Sequence, residues 1–97
     1  MFERTLLEEY RAELDEVDKV LEQYFVRRMK IVDRIGRYKR LNNIPTLDAS
    51  REAAVLEKHT RDIDPELVPY MEEYFRAMMA ISRKYQDEKK AAENDLE

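Results

Sequence analysis

The chain has no cysteine and no tryptophan, a single glycine, three prolines and one histidine in 97 residues. Without cysteine there is no disulfide and no thiolate nucleophile, while the redox compartment stays open. One histidine cannot supply a His-based metal cluster, and no Gly-rich phosphate loop or Ser-His-Asp set is present. The scarcity of Gly and Pro leaves few places to turn, which suits long helices with short connections. No apolar run is long enough to span a bilayer, and Met1-Phe2-Glu3-Arg4 lacks an apolar signal segment, so a soluble cytoplasmic protein is expected. A basic surplus is also missing. The net charge of −4 argues against general affinity for nucleic acid or for an anionic membrane. Any cation that matters here must act locally.

What is present is charge and periodicity. Charged residues make up 41% of the chain and hydrophobic ones 43%, too many for disorder. From Leu6 to Leu41 one helical pattern runs unbroken. Leu7, Leu14, Leu21, Arg28 and Ile35 recur every seven residues, and Tyr10, Val17, Tyr24, Ile31 and Tyr38 share that period. This is an a/d seam that faces a partner helix. Arg28 stands in the middle of it. Lys39 follows eleven residues later, close to three full turns, so the two cations project from nearly the same face. A charge on such a stripe calls for an anion.

The first helix begins near Thr5 and ends around Asn42-Asn43, before Pro45. It would span roughly 55 Å, against a radius of gyration of about 12–13 Å for a compact monomer of this size. A dimer whose long helices cover one another resolves the mismatch. Gly36 lies inside this helix, where two readings stand open: close helix contact, or room for a ligand between Arg28 and Lys39. Asp48 is an N-cap for a second helix from Ala49 to about Arg61. Glu52 in its first turn suits the helix dipole, whereas Arg51 opposes it. His59, without companion ligands, reads as solvated or packed. A third helix starts between Asp64 and Pro69, since Asp64-Pro65-Glu66 is a cap followed by proline, while Pro69 predicts an irregular first turn or a later start. Its stripe runs Met71, Phe75, Met78, Met79 and on into Ser82 and Gln86. Those last two are i,i+4 neighbours on one face; each either bonds a nearby backbone group or serves a ligand. After Gln86 the pattern reads as a frayed end or a tag-like tail, giving a domain over residues 1–86 and a charged tail over 87–97.

Arg28, Lys39, Ser82 and Gln86, with Asp48, Arg51 and Glu52 at a helix start, are polar groups placed where apolar ones were expected. They suit a small polyanion bearing a hydroxyl group, handled by positioning and electrostatics rather than by covalent chemistry. Arg11 also flanks the seam, but seventeen residues before Arg28, roughly 25 Å along the axis. It could serve the same site only from the other subunit of an antiparallel pair.

Taken in order, Leu7-Glu8-Glu9-Tyr10-Arg11 with Asp15 and Asp18, Arg27-Arg28, Ile35-Gly36-Arg37-Tyr38-Lys39, Ile44-Pro45, Asp48-Ala49-Ser50-Arg51-Glu52, Val55-Leu56 and Ser82-Arg83-Lys84-Tyr85-Gln86 resemble the all-α class of chorismate mutases. The resemblance covers Leu6 to Gln86. It implies an all-α fold of three helices per chain, one long and two shorter, in an intertwined homodimeric bundle. It implies that Arg28 and Arg11 of the partner subunit hold the two carboxylates of chorismate, with Ser82 assisting. Lys39 and Gln86 would donate to the ether oxygen, Glu52 with Asp48 would accept from the ring hydroxyl, and Arg51 would support that helix start. The implied reaction is the [3,3] rearrangement of chorismate to prephenate, with no cofactor and no metal. Pro69 and Met78-Met79 depart from the pattern. Two alternatives are an isochorismate pyruvate lyase on the same fold, disfavoured by the intact Asp48 and Arg51-Glu52, and a non-enzymatic helical dimerisation module in which Arg28 sets register.

Overall fold

The computed structural model describes residues 5–95, so the expectations concerning residues 1–4 and 96–97 lie outside the described residues. Three α-helices follow one another: α1 (Leu6–Leu41), α2 (Ala49–Thr60) and α3 (Val68–Asp95), with one 3₁₀ turn at Pro65–Leu67 before α3. No strand occurs among the described residues, and no helix of theirs is long and apolar enough to cross a membrane. The fold is all-α, with one long and two shorter helices, as the periodicity and the resemblance led one to expect.

Local chemistry explains each boundary. At the start of α1 the Thr5 hydroxyl accepts from the Glu8 N–H at 3.2 Å, and the Glu8 carboxylate accepts from the Thr5 N–H at 3.1 Å. This reciprocal box satisfies two of the donors that a helix start leaves open. At the other end Asn43 turns left-handed, with φ 55°. Ile44 N–H then donates to Lys39 C=O at 2.8 Å, and Asn43 N–H to Arg40 C=O at 3.5 Å. That pairing is a Schellman cap built on Asn rather than Gly.

The Asp48 carboxylate caps α2 by accepting from the Arg51 N–H at 3.0 Å. Asp64 accepts from the Glu66 N–H at 3.0 Å and starts the 3₁₀ turn. Pro69 falls in the first turn of α3, where no intrahelical partner awaits its missing N–H. The irregular first turn expected from two nearby prolines is therefore a short 3₁₀ segment that hands over to the helix.

The chain divides into two units, Met1–Ile31 and Val32–Glu97. The described part of the first is a single helical segment, and its seam residues Leu7, Tyr10, Leu14, Val17, Leu21 and Tyr24 are all exposed. In the second, α2 packs against α3. Val32 and Met79 form its buried apolar centre, each 7% exposed, and Ser82 and Gln86 are buried beside them. His59 stacks on Phe75 with ring centroids 4.4 Å apart and planes 8° from parallel, a packing role. Where a frayed end or a tag-like tail was expected past Gln86, α3 runs on to Asp95. Its Lys, Glu and Ala residues are good helix formers. Two ion pairs tie that stretch to α1: Arg40 with Glu93 at 2.7 Å and Lys89 with Asp33 at 3.8 Å.

Candidate active site

Of the eight residues singled out from the sequence, Lys39, Asp48, Arg51, Glu52, Ser82 and Gln86 belong to the second unit. Arg11 and Arg28 belong to the first. Arg11 is exposed. Arg28 is half-buried and already engaged in an interaction.

Lys39 sits in the last turn of α1, half-buried, and its Nζ donates to Thr46 C=O at 2.9 Å. The Schellman cap turns the chain back so that the loop carbonyl meets the side chain that issued from the helix. An ammonium group has three donors, so two remain for a ligand. Lys39 and Gln86 both line a cavity of about 900 Å³, together with Gly36, Arg40, Asn43 and Thr46.

Gln86 is 7% exposed and anchored: its Nε2 donates to Val32 C=O at 2.9 Å. Because a carbonyl oxygen can only accept, this bond fixes which end of the amide is the NH₂, and it leaves a second N–H unspent. Gly36 makes the arrangement possible. A Cβ placed there would lie 2.9 Å from Gln86 Cγ and 3.2 Å from Arg40 Nη1. Of the two readings of Gly36, close contact between helices is the one observed: the room left by the missing side chain is filled by Gln86 and Arg40.

Ser82, one turn before Gln86 on the same face, donates its hydroxyl to Met78 C=O at 2.8 Å. It thereby satisfies a backbone group of its own helix, the blander of its two readings, although a hydroxyl can still accept. Glu52 accepts from Arg83 Nη1 through both carboxylate oxygens, a charged pair that joins α2 to α3 and is part-buried. A carboxylate has about four acceptor positions, so the pair orients Glu52 without exhausting it.

Asp48 carries a second bond, from the Ser50 hydroxyl at 2.9 Å. The Arg51 N–H foremost, and then the Ser50 hydroxyl, hold its carboxyl below the ordinary value of 3.8, and the Lys39 charge adds in the same direction. Asp48 is therefore an anion at neutral pH whose first duty is to cap α2. Arg51 contributes its backbone to that cap, and its side chain is exposed.

The sequence reading assigned no role to Arg83 or Arg40. Arg83 lies thirty-one positions from Glu52 and Arg40 fifty-three from Glu93, so no local pattern links either pair. The one available signal for Arg40 was its place one turn after Gly36, on the face that the glycine opens. Among the described residues no group of three or more His, Cys, Asp or Glu side chains could hold a metal ion. Of the eight residues, only Lys39 and Gln86 line the cavity, where they offer a cation and anchored hydrogen-bond donors. Such a set can bind a hydroxylated polyanion and favour charge that develops on it.

A family model described as chorismate mutase type II matches residues 10–87. Comparison with curated proteins and with solved structures gave no match.

Proposed function

Since the chain belongs to the chorismate mutase type II family, we propose that it converts chorismate to prephenate by a [3,3] rearrangement, working as a homodimer. The observation that carries this reading is the pair Lys39 and Gln86 lining one cavity, each anchored through one N–H to a main-chain carbonyl and each with N–H to spare. Two anchored donors in one cavity suit a breaking C–O bond, because charge accumulates on the ether oxygen as the bond lengthens. Donors that are already anchored need no reorganisation when that happens. The rearrangement is intramolecular and transfers no proton, so no nucleophile or general base is called for; selective binding of the chair-like transition state is sufficient.

In this reading Arg28 and Arg11 of the partner subunit hold the two carboxylates, which their planar guanidinium forks fit. Ser82 assists them. Glu52, with Asp48 nearby, accepts from the ring hydroxyl; the pair with Arg83 supports this by presetting the Glu52 carboxylate. Arg51 steadies the start of α2. The exposed seam of Leu7, Leu14 and Leu21 supports the dimer, because a row of large apolar side chains at heptad spacing finds its stable state against a second such row.

The deciding experiment is turnover by the purified protein, with chorismate and isochorismate offered in separate assays. Formation of prephenate from chorismate is expected. Release of pyruvate from isochorismate, with no prephenate from chorismate, would replace the mutase by a lyase.

A further inference from the structure

The family match ends at residue 87, yet α3 continues to Asp95 and returns contacts to the end of α1. Arg40 takes hold of Glu93 through two nitrogens, Nε to Oε2 at 2.7 Å and Nη2 to Oε1 at 2.8 Å. This is a fork-to-fork pair, the geometry that fixes a guanidinium plane rather than merely attracting it. Its consequence is where the third nitrogen goes. Nη1 is buried without a hydrogen-bond partner, and it lies 3.2 Å from the point where a Gly36 Cβ would stand. Gln86 Cγ and Cδ lie 2.9 and 3.4 Å from that same point. The inner edge of Arg40 and the stem of Gln86 therefore close over one glycine from two sides.

A buried donor with no acceptor is costly and persists only where the surroundings over-determine it. Here the surroundings are the Glu93 clamp on the outer edge and, four positions before Glu93, the Lys89–Asp33 pair. With no open surface, Nη1 cannot serve a dissolved anion, so its effect must pass through its neighbour. That effect is both steric and electrostatic. The guanidinium blocks the path by which Gln86 could swing off Val32 C=O, and a cation on that side opposes the NH₂ end of the amide turning toward it.

We propose that Arg40 is a positioning residue for Gln86, and that residues 88–95 are present to hold Arg40 in its place. The kinetic part rests on the mutase reading, in which the second N–H of Gln86 meets the ether oxygen. The structural part does not.

The test uses the full chain and the variants Arg40→Leu, Arg40→Lys and Glu93→Gln, with Gln86→Ala as a background. Glu93 is 54% exposed, so Glu93→Gln leaves packing intact even if Arg40→Leu folds poorly. Misplacement of a reacting group by about 1 Å can cost up to ~10²-fold in rate. For Arg40→Leu we expect kcat to fall at least about tenfold with KM held within about twofold, for Glu93→Gln a smaller fall of the same kind, and for Arg40→Lys partial recovery. In a Gln86→Ala background, Arg40→Leu should lower kcat no further, because the residue it positions is gone.

The second readout is hydrogen exchange of the Gln86 side-chain amide by NMR, its signals identified by their loss in Gln86→Ala. Exchange should be slow in the parent and faster in Arg40→Leu and Glu93→Gln. Unchanged exchange in both variants, or an equal kcat loss with and without Gln86, overturns the proposal. A parent inactive on chorismate would instead remove the mutase reading, and the exchange measurement would still decide whether Arg40 positions Gln86.

Discussion

The two units of the chain differ in what they bury: Val32, Gly36, Met79, Ser82 and Gln86 are buried in the second, and no described residue of the first is. From Val32 onward, polar groups find partners inside the chain: Gln86 with Val32, Glu52 with Arg83, Arg40 with Glu93, Lys39 with Thr46. From Leu6 to Ile31 the large apolar side chains stand exposed instead, as in Leu7, Leu14 and Leu21. Large apolar side chains stand exposed in the second unit too, Leu41 and Tyr70 among them, but only there do the described residues include a buried centre, and the first presents apolar side chains at heptad spacing without one. The difference bears on the proposed site: Lys39 and Gln86 are anchored within the chain itself, whereas the proposed contribution of Arg11 would require a partner subunit.

The sharpest way to break that contrast is to charge the seam. Leu14→Glu with Leu21→Glu would cost little on a surface that stays open, within about 0.5 kcal/mol for each change. Against a covering helix each buried leucine is worth about 1.5–3 kcal/mol, and two-fold symmetry counts it twice. We expect the double variant to sediment as a monomer and to lose activity altogether. A dimer of unchanged stability would show that the seam is not the interface.

Lys39→Ala tests the other side of the contrast. Removing one preorganised donor typically costs about 2.7–4 kcal/mol, or roughly 10²–10³ in kcat. Helix content should hold, since the Schellman cap uses the Lys39 carbonyl and not its side chain. A variant within a few-fold of the parent in kcat/KM would remove Lys39 from the chemistry.

Gly36→Ala has a smaller expected effect and a divided one. Helix propensity gains about 1 kcal/mol, while a Cβ at 2.9 Å from Gln86 Cγ overpacks a side chain that is already anchored, at about 1–3 kcal/mol. The net expectation is a loss of about 1 kcal/mol, seen as a Tm lower by roughly 4–8 °C, with kcat reduced further than stability alone would explain. A more stable and fully active variant would mean that Gln86 has room to move.

Asp48→Asn should be the mildest. In the folded chain the Asp48 carboxyl is held below its ordinary value of 3.8, chiefly by the Arg51 N–H. Its stabilising contribution is therefore present above that value and is lost as pH falls through the folded one. Asn caps a helix about as well as Asp, so stability near neutrality should barely change while the acid-side decline in Tm becomes shallower. An identical acid limb would show that Asp48 contributes nothing to it.

Much of this was legible in the residues because it is local. Heptad spacing, the Asp48 cap and the Asp64-Pro65 start each express themselves within a turn or two, and α1 and α2 begin and end within a residue or two of where those signals put them, while α3 begins inside the Asp64–Pro69 window. The even choices were harder for a physical reason. Whether Gly36 marks close contact or ligand space, and whether Ser82 serves its own helix, depends on what α3 brings alongside, and a helical period carries no information about a neighbour's side chains. The stretch past Gln86 was hard to read for a similar reason. Its sequence has no apolar stripe because ion pairs to Arg40 and Asp33, rather than burial, attach it.

The return from α1 to α2 has a consequence for how this chain can vary. Connecting loops ordinarily accept insertions and deletions with little harm. Here Lys39 grips its own loop twice: its carbonyl takes the Ile44 N–H at 2.8 Å and its ammonium takes the Thr46 carbonyl at 2.9 Å. Two residues after Thr46 the loop ends in Asp48, whose carboxylate feels the Lys39 charge. The connection thus serves as a spacer of fixed length, and one residue more or fewer would move the anion that starts α2 away from the cation that ends α1. Among related chains, length should be held more strictly across this short loop than across the Arg61–Asp64 connection, whose residues make no such double attachment to a proposed catalytic side chain.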